Sequence, residues 1–348
     1  MVRIGLIGCG YWGPNLVRNL TELDEADLAV VADLDPSKTR KLARRYPTIR
    51  GTESADEILN DSKIEAVVIV TPAETHFDLA RRALEAGKHV LVEKPLTLDP
   101  DESRRLAELA DRTGLTLMVG HTFEFNPAVR RLKALASEEA FGKVRYVYST
   151  RVNLGIFRPG INAMWNLAPH DLSILFYLLD EEPASVIALG KAFLKPGVED
   201  VVFLFLEFES GVIAHVNVSW LDPSKVRRTT VVGEKRMAVY DDLDSEQKLK
   251  LYDRGFESTL FEEGGMRDYQ VRLRAGDILA PKIETTEPLR LECAHFLECI
   301  QGKKRPLTDA WNGHRVVAAL AAAGESLRSG GKKVAVARGP RPAPQGSS

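Results

Sequence analysis

Cysteine is scarce. The 348 residues hold three, at 9, 293 and 299, an odd number with no C-x-x-C pair. That excludes a disulfide frame or a cysteine zinc site and suits free thiols in a reducing compartment. Long apolar runs are also missing. The longest, such as 201–206, are strand-sized and far short of a bilayer span. Neither sign of charge dominates: 47 Lys and Arg face 49 Asp and Glu, a formal charge of −2. This argues against nucleic acid or a membrane surface as partner. The opening MVRIGLIGCG runs straight into a strand pattern, without the charged and cleavable apolar segments of an export signal. Taken together, these absences lead us to expect a cytoplasmic protein acting on small molecules.

What is present is ordinary for a globular enzyme, with 44% hydrophobic and 28% charged residues. The length is comfortable for two domains. In the first third, Val2–Ile7, Leu28–Ala32, Ile64–Val70, His89–Val92 and Leu115–Val119 are unalternating Val/Ile/Leu runs. Such runs read as parallel strands buried on both faces. Helix punctuation separates them: a Ser54/Glu57 capping box, Asp99-Pro100 at a helix start, Gly87 and Gly114 at exits. The expected fold is a doubly wound parallel α/β sheet over 1–122. From 123 to 336 the pattern changes to an α+β domain with a mostly antiparallel open sheet. Residues 212–220 alternate with period two, and further strands are expected at 144–152, 201–208, 229–232 and 236–241. Helices are expected at 169–179, 288–300 and 314–326. Residues 337–348, ARGPRPAPQGSS, read as a disordered tail.

Gly8-Cys9-Gly10-Tyr11-Trp12-Gly13 follows the first strand and opens a helix. Alone the motif is weak; strand before, helix after and an acid at the right distance make it strong. The first glycine makes the turn, the second admits a pyrophosphate, and the third lets helix and strand pack. The helix N-terminus with Pro14 offers free N–H groups to phosphate. Asp33 ends the second apolar run, where a carboxylate accepts from the adenosine ribose hydroxyls and repels a 2′-phosphate. Asp35 adds negative charge, while Lys38, Arg40, Lys41, Arg44 and Arg45 offer the opposite possibility. The balance favours NAD over NADP, held by Gly8, Gly10, Tyr11, Trp12, Gly13 and Asp33.

The fourth apolar run ends in Glu93-Lys94-Pro95, at the strand end where α/β sheets bind ligands. With the glycine motif, Thr71-Pro72 and His76 after the third run, and a later histidine segment, the chain resembles the glucose–fructose oxidoreductase / inositol dehydrogenase (Gfo/Idh/MocA) family along nearly its whole length. The resemblance implies that Lys94 is catalytic and bonds the reacting hydroxyl, and that Thr71, Pro72, His76 and Glu93 line the cofactor site. The later segment is Trp165-Asn166-Leu167-Ala168-Pro169-His170-Asp171. The family pattern there is an acid, three residues, then a histidine acting as general base. His170 matches; Asn166 stands in place of the acid. An amide orients a substrate by hydrogen bonding and carries no proton at neutral pH. Proton work then falls on His170, kept neutral by a helix N-terminus. His121 either lines the nicotinamide pocket or packs, and His215 reads as structural. No cluster points to a metal, which hydride transfer does not need.

The segment 151–162 leads into the catalytic helix, and Arg151, Asn153 and Arg158 in it are candidate substrate ligands with Lys94, Asn166 and His170. Within the family, G-Y-W-G-P-N (10–15) and W-N-L-A-P-H-D (165–171) are most similar to nucleotide-sugar dehydrogenases. That resemblance implies NAD-dependent oxidation at C3 of a UDP-N-acetylhexosamine or its uronic acid. An inositol or free-sugar dehydrogenase is the alternative, and a non-catalytic NAD-binding sensor a further one. A homodimer or homotetramer is expected.

Overall fold

In a computed structural model that describes residues 1–155, 160–263 and 266–339, the chain divides into two compact units. The first comprises Met1–Phe125, Thr286–Ala321 and the residues from Ala337; the second, Asn126–Thr285 and Ala322–Val336. Beyond 339 the expected tail lies outside the described residues.

In the first unit, β1 (Val2–Ile7), β2 (Ala26–Ala32), β3 (Arg50–Thr52), β4 (Ala66–Ile69), β5 (His89–Glu93) and β6 (Leu117–Gly120) form a parallel sheet. Its order is β3-β2-β1-β4-β5-β6, the doubly wound α/β fold expected. Ile4, Leu6, Val67, Val68, Val90 and Leu91 are buried, as unalternating runs require. β3 escaped the sequence reading because it is three residues long with a single buried side chain. The connecting helices are α1 (Gly13–Thr21), α2 (Pro36–Arg45), α3 (Ala55–Leu59), α4 (His76–Glu85) and α5 (Pro100–Thr113). Asp99 caps α5 by accepting from the Asp101 and Glu102 amides, and Gly114 ends it at φ 66°. The Ser54/Glu57 capping box does not form. Glu57 instead accepts from Thr52 Oγ1 and Arg50 Nη1, both at 2.6 Å.

The expected boundary at 122/123 differs from this division. Residues 286–321 belong to the first unit, because Leu289, Cys293, Phe296 and Leu297 of α8 (Pro288–Ile300) share one core with Leu6, Leu16, Leu20 and Met118. Periodicity reports a helix; it does not report what the helix packs against.

The second unit is built on a mixed sheet. Its strands are β7 (Val144–Leu154), β8 (Pro183–Lys191), β9 (Val201–Phe208), β10 (Ile213–Ser219), β11 (Leu221–Gly233), β12 (Met237–Asp241), β13 (Leu249–Tyr252), β16 (Ile278–Leu279) and β17 (Val334–Ala335). They are ordered β16-β13-β12-β11-β7-β10-β9-β8-β17, with β14 (Gly255–Glu263) and β15 (Met266–Arg274) as a separate hairpin. Only β10 and β7 run parallel among the described pairs of this sheet. α6 (Pro127–Ala136) precedes the sheet. α7 (Ala163–Leu179) packs its Leu172, Leu175 and Phe176 over β7, β9 and β10, whose Val202, Leu204, Val216 and Val218 are buried. α9 (Ala310–Arg328) follows α8. On the outward face of the sheet Tyr146, Tyr148, Phe203, Phe205 and Ile213 stay exposed, and His215 packs 4.9 Å from the Phe205 ring. No described helix is long and apolar enough to cross a membrane.

Candidate active site

The glycine loop divides its labour among three residues. Gly8 has φ 104°, and a Cβ there would lie 2.6 Å from the Val70 carbonyl; one on Gly13 would lie 2.5 Å from Gly8 O. Both are glycine for close packing. A Cβ on Gly10 would meet nothing within 4 Å, which leaves the loop open where a phosphate approaches backbone. α1 begins with no side-chain cap and no acid in its first turn, so no side chain of its own competes with an anion at its N-terminus. The residues present therefore fit a dinucleotide pyrophosphate. Tyr11 and Trp12 are both exposed.

Asp33 sits at the end of β2 as expected, and it also organises the loop. Its Oδ2 accepts from the Cys9 amide at 2.7 Å, and Oδ1 from the Asp35 amide at 2.9 Å and Lys38 Nζ at 3.2 Å. Of the basic run, Lys38 is thus engaged with the carboxylate. Asp35 is the α2 N-cap, accepting from the Ser37 amide at 2.9 Å.

After β4, Thr71 Oγ1 meets Thr75 Oγ1 at 2.6 Å. Pro72 precedes the short turn Ala73–Thr75 leading to His76. His76 is buried, with Nδ1 2.8 Å from Pro95 O and Nε2 2.9 Å from Thr71 O. Burial pushes its imidazole below the ordinary range. Both ring nitrogens face main-chain oxygens, so the side chain ties the loop after β4 to the Glu93-Lys94-Pro95 turn.

That turn closes β5. Register pairs Glu93 with Gly120, and a Cβ on Gly120 would lie 3.1 Å from the Glu93 carboxyl. Desolvation raises the Glu93 pKa to about 7, against the attraction of the Lys94 ammonium. Sequence reasoning missed the neighbours. Glu292 of α8 is 1% exposed, accepts from Thr122 Oγ1 at 2.9 Å and is held well above the carboxylate range by burial and by Glu93. Asn312 Nδ2 donates to Glu124 Oε1 at 3.1 Å. An acid on the apolar stripe Leu289, Cys293, Phe296 was the one available signal for Glu292.

In the second unit α7 starts at Ala163, six residues before the helix expected from Pro169. Asn162 caps it, accepting from the Trp165 amide at 3.0 Å and donating to Glu199 at 2.7 Å. Pro169 is therefore inside the helix, and His170 lies in its third turn. That overturns the argument from the helix N-terminus, whose field fades within one turn. Asn166 and His170 do share a face, four residues apart on one helix. Asn166 Oδ1 accepts from Trp220 Nε1 at 3.4 Å, and Gly155 makes room for that indole: a Cβ there would be 2.4 Å from it.

Arg151 is not placed as a surface ligand. It is 4% exposed, and its Nε donates to Asp171 Oδ2 at 2.6 Å, while Ser149 Oγ donates to Oδ1 at 2.6 Å. An arginine so enclosed anchors α7 to β7 through the residue next to His170. Asn153 Nδ2 donates to Leu154 O at 3.2 Å near the end of β7. Arg158 lies outside the described residues.

A Rossmann sheet with an open glycine loop and an acid closing β2 defines an NAD-binding oxidoreductase. Residues 2–121 match the oxidoreductase family with NAD-binding Rossmann fold, Gfo/Idh/MocA, and residues 129–239 match its C-terminal domain. The chain belongs to the Gfo/Idh/MocA family and is an NAD-dependent dehydrogenase acting on CH–OH donors. It is 31% identical to UDP-N-acetylglucosamine 3-dehydrogenase of Acidithiobacillus ferrooxidans, over 91% of this chain and 95% of that one. The structure of that enzyme superposes with a TM-score of 0.79, covering 94% and 98% of the two chains at 26% identity. The scyllo-inositol 2-dehydrogenase (NAD(+)) of Bacillus subtilis is 29% identical over 88% of each chain. GenD2 from gentamicin A biosynthesis, solved in complex with NAD, aligns at 26% identity and TM-score 0.81 over 97% and 96%.

Proposed function

We propose that the protein oxidises C3 of a UDP-N-acetylhexosamine or its uronic acid. The observation that carries this reading is the 31% identity to a UDP-N-acetylglucosamine 3-dehydrogenase along 95% of that enzyme's length. NAD, when bound, supplies the hydride acceptor. His170 takes the hydroxyl proton, the work of a neutral imidazole near pH 7. Lys94 donates a hydrogen bond to the same oxygen and steadies the negative charge that builds on it. Asn166, its oxygen held by Trp220, presents its NH₂ group to an acceptor oxygen on the sugar. Glu93 and His76 brace the turn carrying Lys94. The 29% identity to an inositol dehydrogenase supports the second reading, a cyclitol or free-sugar substrate.

The exposed Tyr146, Tyr148, Phe203, Phe205 and Ile213 support pairing of two copies through the open sheet, in a cytoplasmic homodimer or homotetramer. Initial rates of NAD reduction across UDP-N-acetylhexosamines, their uronic acids, inositols and free hexoses test the substrate. The UDP-sugars are expected to lead in kcat/KM by at least roughly a hundredfold, several contacts' worth of selectivity. A leading inositol would replace the first reading with the second.

A further inference from the structure

Pro169 lies inside α7 and has no N–H, so the Trp165 carbonyl loses its helical partner and is crowded by the proline ring. That gap in the backbone ladder falls between Asn166 and His170, the two residues of this helix assigned to substrate. Each side of it is tied down separately. Before the gap, Ala163 N donates to Glu199 O at 2.8 Å, Asn162 Nδ2 to Glu199 Oε2 at 2.7 Å, and Trp220 Nε1 to Asn166 Oδ1 at 3.4 Å. After it, Asp171 accepts from Arg151 Nε on one oxygen and from Ser149 Oγ on the other, both at 2.6 Å. Ser149 and Arg151 stand two apart on β7 and so share a face. Their strand is itself paired on both sides, with β10 and β11.

We propose that Asp171 is a positioning residue: gripped by Arg151 and Ser149, it sets the imidazole of His170 against the substrate hydroxyl. The proposal rests on the reading of His170 as the base. A buried ion pair is a poor source of stability, since apolar side chains can fill the same space as well. What this one supplies is direction, because a guanidinium and a hydroxyl together fix both oxygens of one carboxylate. Asp171 adjoins His170 in the chain, beyond the weakened turn, so a shift of the carboxylate carries the imidazole with it. A misplacement of about 1 Å is enough to lower a rate by roughly a hundredfold.

A mutant cycle tests this. The kcat is measured with NAD and whichever of UDP-N-acetylglucosamine and scyllo-inositol turns over faster, for Asp171→Asn, His170→Ala and the double variant. Asp171→Asn should lower kcat about tenfold or more and leave the NAD dissociation constant within about twofold of the parent. On the His170→Ala background the same change should lower kcat by less than about twofold, because residues that act through one group are not additive. Parent-like kcat in Asp171→Asn, or an equal loss on both backgrounds, overturns the proposal; the latter would make the pair a structural tie only. Parent-like kcat in His170→Ala would instead overturn the reading of the base. Should Asp171→Asn not fold, Ser149→Ala removes one bond, leaves the ion pair and runs the same cycle. Its expected loss is about threefold on the parent, the scale of one hydrogen bond, and none on His170→Ala. Equal losses, or no loss on either background, overturn the proposal.

Discussion

A carboxyl group on a helix stripe of Leu289, Cys293 and Phe296 has little choice but to keep its proton. Glu292 is in that position, with Glu93 as an acidic neighbour, and both are raised above the ordinary carboxylate range. The unfolded chain sheds these protons near pH 4.5, whereas the folded chain holds that of Glu93 to about 7 and that of Glu292 well above the ordinary carboxylate range. Stability from the pair is therefore complete below about pH 4 and lost as pH rises through the folded values. The two groups interact, so the loss belongs to the pair. Glu292→Gln removes part of it. Its melting temperature is expected to gain on the parent between pH 5 and pH 8, by scanning calorimetry; a gap that stays constant with pH contradicts the assigned protonation. Lys94 and His170 carry a different expectation. Alanine at either should lower turnover roughly a hundredfold or more, the scale of general acid–base assistance. NAD affinity should be nearly unchanged. Near-normal turnover in either variant removes that residue from the mechanism.

α7 is the element on which the sequence reading and the structure differ most usefully. Pro169 reads as a helix start, since proline is at home in a first turn, yet the cap is Asn162 and the proline lies inside. Asn162 was passed over because the segment before Pro169 has no clean apolar period. The i, i+4 relation of Asn166 to His170 survives and makes a prediction. Asn166→Asp keeps an acceptor for Trp220 and sets a negative charge one turn from the imidazole. An opposite charge favours the imidazolium, so the acid limb of kcat/KM should move to higher pH. An unmoved limb means that position 166 does not sense His170. The same element shows why the burial and pairing of Arg151 were not legible. Its partner Asp171 is 20 residues away, and a buried ion pair formed across such a gap has no local sequence signature.

At the scale of the whole chain, both halves of the architecture were legible for opposite reasons. The unalternating runs and glycine loop of the first unit carry their own signal, and residues 212–220 alternate cleanly. β8 was not, because PASVIALGK mixes small residues with no clear alternation. Nor was the return of 286–321 to the first unit, which depends on contacts across some 170 residues, such as Thr122 with Glu292. The placement of the glycine loop and of Asp33 was readable, since glycine spacing and an acid at a strand end are local. The buried acids of the first unit, Glu292 and Glu124, are brought in by the fold. The central claim is that a hydride leaves C3 of a nucleotide sugar for NAD. Incubating the protein with NAD and UDP-N-acetylglucosamine deuterated at C3, then weighing the reduced cofactor by mass spectrometry, addresses it directly. The account predicts NADH carrying one deuterium; NADH without deuterium, or none formed from this sugar or its uronic acid while an inositol is oxidised, would contradict it.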